Sequence, residues 1–134
     1  MNALLSDIAE SCLRAAESDG MAFPEIVGRL MHAGFESYAI DFRRATATYY
    51  LPDGDSVVLT AHLHRAPIAP SLNAAALREA IREAQQSAPG YTYRGFCEKA
   101  MAGGCCGYVV SFSGRRAVYF GRDAETHVEC FLQR

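Results

Sequence analysis

No stretch of this 134-residue chain comes near the roughly 18 uninterrupted apolar residues that a membrane helix needs. The first 18 residues carry Asp7, Glu10 and Arg14 inside their apolar pattern and lack a basic start. A secretory signal reads the other way, so a cytoplasmic protein is expected. Bulk positive charge is missing too. Thirteen Lys+Arg against fifteen Asp+Glu give a formal charge of −2 and a pI near 6.1. That balance argues against nucleic-acid binding by electrostatics and leaves room only for a local basic stripe. The cysteines Cys12, Cys97, Cys105, Cys106 and Cys130 are odd in number and contain no C-x-x-C pair. Neither a disulfide framework nor a zinc ribbon follows from them, and free thiols packed as small apolar groups are expected. A phosphate loop, a glycine-rich nucleotide fingerprint and a serine nucleophile elbow are all wanting.

What remains is half apolar and 21% charged, the composition of one folded domain spanning 1–134. Leu4, Leu5, Ile8, Cys12 and Ala15/Ala16 recur at helical spacing, which predicts an opening helix over 2–18. Pro24 starts a second helix with Ile26, Val27, Leu30 and Met31 on one face, ending at Gly34. From Tyr38 the period becomes two, giving strands around Tyr38–Phe42, Thr46–Leu51 and Ser56–Thr60. Residues 65–71 hold two prolines and form the crossover loop. Asn73 and Thr92 read as caps of two further helices, the first broken at Pro89-Gly90 and the second ending at Gly103-Gly104. Strands at Gly107–Phe112, Arg116–Gly121 and His127–Leu132 finish the chain, with Ser113-Gly114 suited to a tight hairpin.

The two halves align without a gap at an offset of 70, bringing Gly34 onto Gly104, Tyr38 onto Tyr108, Phe42 onto Phe112 and Tyr49 onto Tyr119. An internal duplication is the reading this suggests. The expected fold is α+β: two similar α-β-β-β units, about 23–64 and 92–132, plus the N-terminal helix and a crossover loop and helix over 65–89. The helices would cover an antiparallel sheet. Tyr38, Ile40, Phe42, Tyr108, Val110 and Phe112 should face inward beneath Leu30, Met31 and Met101.

The segments AGFESYAIDFRRATATYYLPDG and AGGCCGYVVSFSGRRAVYFGRDAETHVECF carry Y-x-x-D-x-R-R, T-Y-Y-L-P-D-G, G-R-R-x-V-Y-F-G-R and H-V-E. In these motifs the chain resembles the YbcV-like family, also catalogued as domain of unknown function family 1398. Some members carry the label phage envelope protein. The resemblance runs from about Phe23 to Phe131 and implies a small α+β domain of bacteria and their prophages, with no activity to carry onto residues. The vicinal Cys105-Cys106 and the His62-x-His64 pair depart from the simpler family pattern.

Among polar groups, His127 and Glu129 stand out. They share one strand face and replace Val57 and Leu59 of the other half. Arg116 and Tyr119 on the preceding strand would complete a ligand site with them. His62 and His64 fall at the opposite parity, so no metal site is expected. Cys105 follows a helix C-terminus, whose dipole raises a thiol pKa, and Cys130 cannot meet His127 on one strand. Arg43-Arg44 and Arg115-Arg116 suggest either solvated turns or an anion clamp. The leading expectation is a non-catalytic binding or interaction module without cofactor, its partner a small anionic ligand or a protein, a homodimer being compatible. The alternative is an enzyme acting on a small substrate with His127 and Glu129 in its site. Third comes a nucleic-acid-associated prophage protein.

Overall fold

The computed structural model describes residues 1–63 and 65–131; His64 and the expected strand end at Leu132 lie outside them. Ten elements follow one another: α1 (Ala3–Glu17), α2 (Phe23–Ala33), β1 (Ser37–Asp41), β2 (Thr46–Tyr50), β3 (Ser56–Thr60), α3 (Ala74–Gln86), α4 (Tyr93–Ala102), β4 (Cys105–Ser111), β5 (Arg116–Gly121) and β6 (Thr126–Cys130). The class is α+β. The strands form one antiparallel sheet in the order β3-β2-β1-β4-β5-β6. Each half is thus a meander, and within the sheet the halves join along β1 and β4.

Local chemistry explains the helix ends. The carboxamide oxygens of Asn2 and Asn73 and the hydroxyl of Thr92 accept backbone N–H groups that the first turns of α1, α3 and α4 leave free. Gly34 closes α2 in the left-handed region at φ 103°, and Gly104 follows α4 at φ 87°.

Strand registers repeat at the offset of 70. Tyr38 pairs with Tyr49 and Tyr108 with Tyr119; Ala47 pairs with Leu59 and Ala117 with Glu129. At the seam Ala39 lies opposite Val109, its own counterpart, so a local two-fold axis passes between them. Left-handed residues repeat as well: Ala45 with Arg115, and Gly54 with Ala124. Ser113-Gly114 lies at the centre of the hairpin after β4, as expected, but the loop is longer than a two-residue turn and its left-handed residue is Arg115. The four-residue loop needs one left-handed residue before β5, and Arg115 takes it at φ 52°.

The N-terminal helix is present as expected, and α1 has α3 as its counterpart in place, so each half reads α-α-β-β-β. Buried Ala9, Cys12 and Leu13 of α1 match Leu77, Ala80 and Ile81 of α3 at an offset of 68, which a gapless alignment at 70 hides. One further expectation changes. Met31 is exposed, whereas Met101 is buried. The crossover loop covers the end of α4, with Ala69 N–H donating to the Met101 carbonyl and Asn73 N–H to that of Gly103. Met101 thus sits beneath a segment that contributes no such bonds to α2.

The helices pack on one face of the sheet. Two rows of side chains point at them, Val57-Tyr49-Tyr38-Val110-Ala117-Glu129 and Leu59-Ala47-Ile40-Tyr108-Tyr119-His127. Apart from Val57, Leu59, His127 and Glu129 on the edge strands, these residues are buried, as are Phe42 and Phe112. The other face is open, with Val58, Val109 and Val128 exposed along one line across the strands.

Candidate functional site

A cavity lies between the helices and the tyrosine-bearing part of the sheet, with about 80 Å³ open to the centres of water molecules. By that measure it holds several waters. Six of the seven tyrosines line it: Tyr38, Tyr49, Tyr91, Tyr93, Tyr108 and Tyr119. Strand parity puts Tyr38, Tyr49, Tyr108 and Tyr119 there, while Tyr91 and Tyr93 arrive from the start of α4. Apolar walls come from Leu13, Ile26, Ile81 and Phe96. The exposed part of the lining includes Asp19 and Ala22 between α1 and α2, and Ser87 between α3 and α4, so the two interhelical loops frame the mouth.

The rings contact one another closely. Tyr38 stacks on Tyr49 at 5.4 Å, and Tyr108 lies 5.1 Å from Tyr119. The hydroxyls of Tyr93 and Tyr108 bond each other at 2.9 Å. Those of Tyr38, Tyr49 and Tyr119 make no hydrogen bond within the described residues, although all three side chains are more than nine-tenths buried. No buried side-chain oxygen or nitrogen there is both sealed and unpartnered. The three oxygens therefore open onto the cavity their rings line. An unsatisfied buried hydroxyl costs about 1–3 kcal/mol, so water or a ligand belongs against each.

Burial pushes all six lining phenols above the ordinary tyrosine value, most strongly Tyr38, Tyr93 and Tyr108. They stay neutral and act as hydrogen-bond donors. In the unfolded chain a phenol ionises near pH 10, below its value in the fold. Unfolding therefore releases protons above that pH, and stability falls steeply as pH rises through this window. Absorbance of phenolate followed against pH should show these six ionising together with loss of far-ultraviolet dichroism. A gradual rise without unfolding would contradict the burial.

His127 and Glu129 stand at the edge of this chamber. His127 Nε2 and Glu129 Oε1 are 2.7 Å apart, and Tyr119, the register partner of His127, has its ring 6.5 Å away. Glu129 lines the cavity; His127 lies behind it, outside the lining. The pair thus faces the helices, not the open side. Arg116 does not join them. Three residues from Tyr119, it points to the opposite face, pairs in register with Cys130 and donates from Nε to the Gly114 carbonyl at 3.1 Å. Of the four residues, Tyr119, His127 and Glu129 share the helix-facing side and Arg116 does not.

Other candidates are separated by the topology. Because β1 and β4 run antiparallel, Arg43-Arg44 and Arg115-Arg116 sit at opposite ends of the sheet and cannot close on one anion. His62 follows β3, at the far edge from β6, where its N–H donates to Glu17 Oε2 at 2.7 Å. No cluster of three metal-ligating side chains occurs among the described residues. All five thiols are free, and four are buried, leaving Cys130 exposed. Burial raises Cys105 to about 11 and Cys97 to about 12. Neither is a ready nucleophile.

The model of a family described as protein of unknown function (DUF1398) matches residues 11–129, from the middle of α1 to the end of β6. The chain belongs to that family. No curated protein matches it. The match takes in β1 to β5, all of β6 but Cys130, and every lining residue of the chamber except Phe131. Among the described residues, no helix is long and apolar enough to cross a membrane.

Proposed function

We propose that this DUF1398 member is a cytoplasmic, non-catalytic protein that holds a small organic molecule in the tyrosine-lined chamber. The observation that carries the reading is the set of three tyrosines whose side chains are almost wholly buried while their hydroxyls, unpartnered within the described residues, open onto a mostly apolar cavity. A mostly apolar concavity with a few convergent polar groups is the usual form of a ligand site. Binding is favoured over catalysis by the state of the lining groups: raised phenols are poor bases, and raised, buried thiols are poor nucleophiles. A nucleic-acid role loses its main support with the two arginine pairs at opposite ends of the sheet. The YbcV-like resemblance, an origin by duplication and a single-domain organisation fit the same reading, whereas a coat or envelope role finds no feature to rest on.

Benzyl alcohol, 2-phenylethanol and indole are suitable neutral probes. Each should bind with millimolar or better affinity in ligand-observed NMR and shift the resonances of Tyr38, Tyr49 and Tyr119. Replacing Ala117, a small lining residue, by Leu should abolish binding while thermal unfolding stays cooperative. Failure of all three probes on the folded protein would overturn the proposal.

A further inference from the structure

We infer that the chamber is selective for an organic cation: an apolar or aromatic body ending in an amine, with Glu129 as counter-charge. This inference rests on the proposal that the chamber binds a small molecule. Its basis is the sign of the charge around the cavity. The charged lining residues are Asp19 and Glu129, both carboxylates, and no lysine or arginine lines it. Arg14 is turned away, held by Glu17 at 2.8 Å and by the Thr60 carbonyl at 3.0 Å. Arg29 reaches Met21 Sδ at 3.9 Å but is not part of the lining. One oxygen of Asp19 is used by the Tyr93 N–H at 2.8 Å, which fixes its carboxylate at the start of α4. Glu129 gives Oε1 to His127, and Oε2 has no hydrogen bond within the described residues.

The rings contribute in the same direction. Aromatic faces attract cations, and the attraction grows when water is excluded. Nine aromatic side chains line the space, the six tyrosines with Phe23, Phe96 and Phe131. An anion would meet two carboxylates there and no cationic side chain on the lining, so the small anionic ligand expected from the sequence fits this chamber poorly. A neutral ligand could use the hydroxyls and would leave Oε2 of Glu129 without a partner. An ammonium donates to that oxygen directly.

Three probes with similar bodies separate the possibilities: phenethylamine, 2-phenylethanol and 3-phenylpropanoate, titrated near neutral pH by ligand-observed NMR. The amine should bind about tenfold more tightly than the alcohol, and the carboxylate more weakly than either. Glu129→Gln, which keeps an acceptor for His127, should bring the amine down to the level of the alcohol and leave the alcohol unchanged. If the alcohol or the carboxylate binds as tightly as the amine, the cation assignment is wrong and the chamber reading stands. Should none of the three bind, the chamber reading falls and this inference with it. The comparison of amine with alcohol needs no variant, so it remains decisive even if Glu129→Gln does not fold.

Discussion

Gly104→Ala should leave little or no folded protein, whereas Gly34→Ala should fold with a loss of about 1–2 kcal/mol. The two glycines occupy equivalent places after α4 and α2, both with φ in the left-handed region. Around Gly34 the position of an added Cβ is empty within 4 Å. At Gly104 it would fall onto the Ser71 carbonyl oxygen, 2.6 Å from the Ser71 carbonyl carbon and 3.0 Å from Leu72 Cα. All of these are backbone atoms of the crossover segment, so no side-chain rotation relieves them. Strain and collision together should cost roughly 4 kcal/mol or more, a large part of the 5–15 kcal/mol that holds an ordinary domain together. Denaturant midpoints of the two variants test this directly. Equal losses would show that the crossover segment does not press on Gly104.

Phe42→Ala and Phe112→Ala should each cost roughly 3–5 kcal/mol. Both rings are almost completely buried, and each packs across the seam between the halves. Phe42 lies 5.9 Å from Tyr108, and Phe112 lies 6.1 Å from Tyr38. Their backbones cross the seam as well, with Phe42 N–H donating to the Cys106 carbonyl and Phe112 N–H to that of Glu36, each at 3.0 Å. Truncation leaves those bonds and removes only the ring, so the loss reads the packing alone. Urea unfolding should give similar values for the two variants. A loss below about 1 kcal/mol in either would mean that its ring is not a seam contact.

Much of this arrangement is legible in the order of residues. Alternation from Tyr38 onward places the inward rows, and the caps at Asn73 and Thr92 follow from side-chain oxygens that can reach free amides. The offset of 70 carries strand register because pairing depends only on positions along the chain. It fails where lengths differ: the faces of α1 and α3 match at 68, so their equivalence appears only in three dimensions. The facing of Arg116 was open to correction from parity alone, since residues three apart on a strand point opposite ways.

The chamber itself was not legible. Tyr38, Tyr49, Tyr108 and Tyr119 read equally well as core, and core they partly are. What separates the two readings is whether each hydroxyl finds a partner, which depends on neighbours from four other elements. The signal available in advance was the equivalence of Tyr38 with Tyr108 and of Tyr49 with Tyr119 on inward positions. Four phenols placed in a small core oblige the fold either to bond their hydroxyls or to open a space beside them.

The joining of the halves along β1 and β4 also governs how the chain gets there. Within each half, every strand pairs with its sequence neighbour, so those contacts close loops of only a few residues. Of the strand pairings, the seam is the one that brings together segments separated by some 70 positions, and its closure carries most of the loop entropy of the sheet. A half of about 60 residues is marginal in size for a domain on its own, so much of its stability comes with that closure. The slow, cooperative event in folding is therefore the meeting of Ala39 with Val109, and the rate should follow seam contacts such as the Phe42 and Phe112 rings more closely than any contact within a hairpin.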